Sequence, residues 1–135
     1  MTDDVPYVHT LRVRFAECDP QGFVFNANYL ALIDVAVTEW MRERFGSYAR
    51  MIADHGVDLV VAEANQRFRL PARGDDLLDI ALAFPQVGTT STTMAVEITR
   101  NGESILDAEL RYVFIDPDKG TKTPIPEPIR AALQG

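Results

Sequence analysis

An α+β fold, one long apolar helix followed by about four antiparallel strands, is what this sequence predicts, on three observations. Residues 29–41 carry apolar side chains at three- and four-residue spacing, the period of a helix with a buried face. Beyond residue 56 that period gives way to alternation by twos in several separate runs, the period of half-buried strands. Asn101-Gly102 joins two of those runs, and this dipeptide is the strongest short signal of a hairpin. With 135 residues, 47% of them hydrophobic and 24% charged, the chain can fill one sizeable core, and one domain over residues 1–135 is the expectation.

Taken in order, residues 9–15, "HTLRVRF", set Leu11, Val13 and Phe15 against Arg12 and Arg14, which predicts a first strand with one buried face. "DPQG" at 19–22 has an acid, a proline and a glycine where a type I turn wants them. Asn26 or Asn28 then suits the N-cap of the long helix, whose stripe is Tyr29, Ile33, Ala36, Val37, Trp40 and Met41. Gly46 stops it, with Arg42 and Arg44 in the last turn, where cations suit the dipole. Leu30, Ala31, Leu32 and Val35 widen the apolar surface, so burial on most sides is expected. A shorter helix from Ser47 to His55 is bounded by Ser47 as cap and Gly56 as stop.

The strands follow. Residues 57–70 and 76–87 form two, the second interrupted by Pro85, which suits an edge or a bulge. Residues 90–100 place Thr92, Met94, Val96 and Ile98 on one face, and residues 104–115 return with Leu106, Ala108, Leu110, Tyr112 and Phe114. "DPDKG" and the proline-rich "TPIPEP" close the domain.

The formal net charge of −7 disfavours nucleic acid and anionic membrane as partners, since both select clustered Lys and Arg. One cysteine, Cys18, rules out an internal disulfide, and one Cys with two His gives no metal-site spacing. The acidic start "MTDDVPYVHT" has no apolar run of signal length, so a cytoplasmic protein is expected.

The runs "VRFAECDPQGFVFNANYLALIDVAVTEW", "ANQRFRLPARGDDLLDI" and "RYVFIDPDKGTKTPIPEPIRAAL" resemble the 4-hydroxybenzoyl-CoA thioesterase family of the hotdog fold over nearly the whole chain. The most specific element is Asp19 followed by Gly22 and the "NANY" of residues 26–29. The resemblance implies a long central helix wrapped by a curved antiparallel β-sheet of about five strands. It also implies a homodimer or homotetramer with active sites between protomers, and an acyl-CoA substrate, aromatic or of medium length, hydrolysed without metal or organic cofactor. A non-catalytic acyl-CoA binding or sensing module on the same fold is the alternative.

Thioester hydrolysis needs a group to attack the acyl carbon or activate water, and donors for the charge that develops on the carbonyl oxygen. The resemblance assigns the first role to the Asp19 carboxylate, as nucleophile or general base, and the second to the backbone amide of Asn26 at the helix N-terminus. Gly22, Phe25 and Tyr29 are placed at the substrate. Read alone, Asp19 is a turn former, the two asparagines are caps, Cys18 is an inert buried thiol, and Phe25 and Tyr29 are core. Asp34, Glu39 and Glu63 are competing acids, and Asp34, if buried, should find a partner. His9 and His55 fall outside the motif, which disfavours a hydratase. Related sequences carry cations for the CoA phosphates after the third strand, where this chain has "VGTTSTTM", leaving the hydroxyls and amides of Thr89, Thr90 and Ser91 for that task. Arg67, Arg69, Arg73, Arg111 and Lys119 are candidates to assist. An acidic carrier-protein substrate is disfavoured by the chain's own charge.

Overall fold

The computed structural model describes residues 6–135; the acidic stretch 1–5, part of the segment read above as lacking an apolar leader, lies outside them. The elements are β1 (Tyr7–Arg12), α1 (Tyr29–Phe45), α2 (Tyr48–His55), β2 (Asp58–Phe68), β3 (Leu77–Val87), β4 (Ser91–Arg100), β5 (Glu103–Ile115) and α3 (Glu127–Gln134). The strands form one antiparallel sheet in the order β1-β3-β4-β5-β2. No helix among the described residues is long and apolar enough to cross a membrane.

Alternation decides which face of the sheet is covered. Leu78, Ile80 and Leu82 of β3, Met94, Val96 and Ile98 of β4, and Leu106, Ala108 and Leu110 of β5 are all buried, and in register they share one face. Tyr29, Leu32, Ile33, Ala36, Val37, Trp40 and Met41 of α1 join them in a single core. Burying each such large side chain contributes about 2 kcal/mol, against a few tenths for most propensity differences along a helix. Packing on the sheet therefore holds α1. The hotdog arrangement expected from the resemblance is present.

Turn chemistry sets the ends. Gly46 and Gly56 follow the two helices with positive φ, and the Ser47 hydroxyl accepts the Arg50 N–H at 3.0 Å as the cap of α2. Asn101 (φ +51°) and Gly102 (φ +83°) give the β4–β5 hairpin two left-handed residues, as a type I′ turn requires. Pro85 lies at the register shift between Ala83 and Gln86, past Leu82, where the pairing of β3 with β1 stops among the described residues. Its missing N–H is tolerated there.

Three expectations need correction. The first strand ends at Arg12 rather than at Phe15, because Glu17 accepts the Arg14 N–H at 2.8 Å and winds residues 15–17 into a 3-10 turn. Phe15 is turned outward, 78% exposed, and its ring occupies space that only a glycine at position 74 leaves open. Second, α1 is not buried on most sides of this chain: Leu30 and Val35 are about two-fifths exposed and Ala31 is exposed. Third, the proline-rich C-terminal segment ends in α3, which buries Ile129 and Leu133 with Pro128 in its first turn, a position where a missing N–H costs nothing.

Candidate active site

The turn carrying Asp19 is folded by its own atoms. Asp19 donates its N–H to the Phe23 carbonyl at 2.8 Å, and Gly22 (φ +84°) donates to the Asp19 carbonyl at 2.9 Å. Oδ1 of Asp19 accepts the N–H groups of Gln21 at 2.9 Å and Phe23 at 3.2 Å. Oδ2 has no hydrogen-bond partner among the described residues. The turn therefore engages one oxygen of this half-buried carboxylate and leaves the other without a partner among the described residues.

Beyond the turn the chain doubles back. Cys18 bridges Val24, and Phe25 donates to the Glu17 carbonyl at 3.0 Å. The next loop closes on this hairpin, with Phe23 bridging Arg73 and the Val24 N–H reaching the Ala72 carbonyl at 2.8 Å. The Arg73 guanidinium stands 4.6 Å from the centre of the Phe23 ring, a cation–π contact that covers the turn. The Cys18 thiol is half buried and directed at the Arg14 carbonyl, 3.7 Å away.

Neither asparagine caps the helix by its side chain, contrary to expectation. Asn28 holds the cap position with φ −86° and ψ −11°, because a 3-10 turn at Asn26–Asn28 runs straight into α1; an acting cap needs extended backbone. Its Nδ2 donates instead to the Glu17 carbonyl at 2.9 Å, tying helix to hairpin. The amides of Asn26 and Ala27, at the start of that 3-10 turn, have no acceptor among the described residues. Both residues are exposed, in the turn that leads into the positive end of α1.

A cavity of about 420 Å³ opens beside them, lined by Val24, Asn26, Tyr29, Phe68, Arg69, Leu70 and Pro71. Tyr29 and Phe68 meet edge to face at 5.7 Å, and the Tyr29 hydroxyl accepts the Ala72 N–H at 3.3 Å. Burial pushes the Tyr29 hydroxyl above its ordinary pKa, so it stays neutral. Phe25 stands outside this wall, half exposed. The loop forming the cavity floor is held by Asp76, which accepts the Arg73 N–H and an Arg100 N–H, each at 2.8 Å. Burial alone would push the Asp76 carboxyl up, but the Arg73 amide and the Arg100 guanidinium hold it below the usual carboxylate range.

The other acids have different settings. Asp34 is exposed on α1 and in no ion pair among the described residues, so the burial that would have required a partner is absent. Glu39 pairs with Arg42 at 3.3 Å and Glu63 with Arg111 at 3.6 Å. His55 packs edge-on to Phe45, and His9 lies on β1 opposite Ile80. Among the described residues no group of three or more His, Cys, Asp or Glu is placed to hold a metal ion.

Thr89, Thr90 and Ser91 form the turn at the far end of β3. Eleven residues of strand, roughly 35 Å at 3.3 Å each, separate it from the Asp19 end, so one chain does not bring the two together. The carbonyls there are committed, to Ile125 from Thr89, to Phe114 from Thr90 and to Gly88 from Ser91. Arg67 and Arg69 are held by Asp107, and Arg111 by Glu63. The cation at this turn is one the sequence reading missed: Arg130 of α3 donates to the Gly88 carbonyl at 2.8 Å. The spacing of Ile129, Ala132 and Leu133 was the available signal for that helix.

Comparison with known proteins agrees with this architecture. The chain is 30% identical over 125 residues to an acyl-CoA thioester hydrolase, YbgC, of Escherichia coli, covering 92% of each. A crystal structure of a hypothetical protein from Aquifex aeolicus matches with a TM-score of 0.87 at 23% identity, over 95% of this chain and 99% of that one. The 1,4-dihydroxy-2-naphthoyl-CoA thioesterase Slr0204 of Synechocystis matches with a TM-score of 0.85 at 22% identity, over 95% of each chain. The thioesterase-like superfamily model matches residues 13–133. The chain belongs to the thioesterase-like superfamily, as a thioester hydrolase on the hotdog fold.

Proposed function

We propose that residues 1–135 act as one cytoplasmic acyl-CoA thioesterase domain, hydrolysing an aromatic or medium-length acyl-CoA to the free acid and CoA. The observation that carries this reading is the Asp19 carboxylate, one oxygen fixed by two backbone N–H groups and the other free. It lies in the same hairpin that delivers the unbonded Asn26 amide to the cavity mouth. The acyl group enters between Tyr29, Phe68 and Leu70, and its carbonyl oxygen points at the Asn26 N–H. Donors already in place there stabilise the oxyanion without reorganising. Asp19 Oδ2 either attacks the acyl carbon, giving an anhydride that water then opens, or takes a proton from the attacking water. In both routes the CoA thiolate leaves and is protonated by solvent.

The cavity volume suits such an acyl group, since small-molecule sites span roughly 300–1,000 Å³. The similarity to the acyl-CoA thioester hydrolase YbgC supports the CoA ester. The nucleotide is assigned to the Thr89–Ser91 turn of a second subunit, because that turn lies a strand's length from Asp19 in its own chain. A homodimer or homotetramer is part of the reading. β2 is an edge strand whose residues 60–65 are all exposed, and such an edge pairs readily with another chain.

A panel of aliphatic and aromatic acyl-CoA esters, assayed by thiol release, tests the proposal. Turnover of at least one ester class is expected. Tight binding of the esters with no thiol released by any of them would make the protein a binding module.

A further inference from the structure

Among the described residues the side-chain oxygen of Gln66 is the one buried side-chain nitrogen or oxygen without a hydrogen-bond partner. An amide oxygen removed from water and given nothing in return opposes folding. Native chains satisfy nearly all such atoms, so the exceptions point to a use.

The register fixes where this one points. Gln66 is opposite Ala108, and Phe68 is opposite Leu106. Directly paired residues project from the same face of a sheet, and Ala108 and Leu106 belong to the core under α1. Gln66 and Phe68 thus both leave β2 towards α1. Phe68 forms the cavity wall with Tyr29, and Gln66 is the next residue on that face, ~7 Å further along the strand. Gln66 does not itself line the cavity of the single chain; it adjoins the Phe68 wall one pleat along β2, on the face turned to α1.

The chemistry of an amide narrows what meets it. A half-turn of the Gln66 side chain exchanges its acceptor oxygen for its donor nitrogen, and a hydroxyl, which both donates and accepts, satisfies either. A charged acyl end would need a free counter-charge, yet Arg69 at this wall is already held by Asp107 at 2.7 Å. We infer that Gln66 is a specificity-determining residue that reads a hydroxyl carried by the acyl group. This rests on the thioesterase reading for the identity of the cavity.

The test uses matched acyl pairs with and without one hydroxyl, an aromatic pair (benzoyl and ring-hydroxylated benzoyl) and an aliphatic pair (hexanoyl and hydroxyhexanoyl). For each, kcat/KM is measured with the CoA ester and Kd with the thioether analogue that cannot be hydrolysed. The parent should favour the hydroxylated member of one pair by about tenfold or more, and the responding pair identifies the acyl body. In Gln66→Met and Gln66→Leu that ratio should fall to near one through loss on the hydroxylated member alone. The melting temperature of the ligand-free variants should hold or rise, because an unpaired polar atom has been replaced by apolar volume. A parent that discriminates in neither pair, or variants that keep the ratio, would overturn the inference. A lowered melting temperature with the ratio intact would do the same, by showing that Gln66 serves a structural bond. Discrimination in Kd without hydrolysis would sink the thioesterase reading while leaving Gln66 its role.

Discussion

Under the proposed mechanism Asp19 meets two demands with one side chain, and the demands are separable. An asparagine at this position keeps an oxygen for the Gln21 and Phe23 amides but cannot attack an acyl carbon or take a proton from water. Asp19→Asn should therefore melt close to the parent and bind substrate, with kcat lower by on the order of 10²- to 10⁴-fold. Asp34→Asn and Glu63→Gln, exposed and outside the hairpin, are the controls and should be mild. Normal turnover in Asp19→Asn with one control dead would move the carboxylate elsewhere. Asp76 makes a different prediction, about pH. Its carboxyl is held below the ordinary range in the folded state, so its contribution to stability is present above the unfolded value of about 4 and is lost as pH falls through the lower folded value. Asp76→Asn should be less stable than the parent at pH 7, and the difference should close on acidification. Urea unfolding between pH 7 and pH 2.5 reads this directly, and a gap that stays constant would show that the charge on Asp76 is irrelevant.

At the scale of elements, caps and turns divide by whether they close locally. Ser47 and Gly56 bound α2, and the Ser47 hydroxyl satisfies the Arg50 N–H. Ser47→Ala should cost about 1 kcal/mol, seen as a melting temperature lower by about 4 °C, with kcat/KM unchanged because α2 lies away from the hairpin of Asp19. An unchanged melting temperature would show that packing of Met51 alone fixes α2. At the start of α1 the same residue-type argument fails, since Asn28 has helical backbone there and its Nδ2 donates to the Glu17 carbonyl eleven residues earlier in the chain. The first strand shows the same limit: Phe15 continues the alternation of Leu11 and Val13, but the bond between Glu17 and the Arg14 N–H ends the strand first.

Across the whole molecule, apolar surface is left uncovered. Leu30 and Val35 on α1, Val60, Val61 and Phe68 on β2, and Phe25 beside the cavity are each between 39% and 53% exposed, and among the described residues β2 is an edge strand with no neighbour on one side. Under the proposed assembly this surface is the contact between chains. Light scattering at micromolar concentration should return at least twice the 15.1 kDa chain mass, and the active species should be that oligomer. A strictly monomeric, active protein would refute both the assembly and the placement of the nucleotide on a second subunit.

The sequence by itself determined what depends on neighbours in the chain. The strand alternation of β4 and β5, the Asn101-Gly102 hairpin, the Ser47 and Gly56 boundaries of α2 and the Asp19–Gly22 turn are all settled by dihedral preference and by bonds spanning a few residues. Tertiary structure decided what depends on groups far apart in sequence. Phe68 reaches Tyr29 and Arg130 reaches Gly88 only once the sheet has closed on the helices. In the sequence Gln66 is one polar residue among several in the strand of residues 57–70, and its register opposite Ala108 turns it inward. Periodicity reports which face of an element is apolar. It does not report which other element covers that face, because that depends on the packing of the whole core.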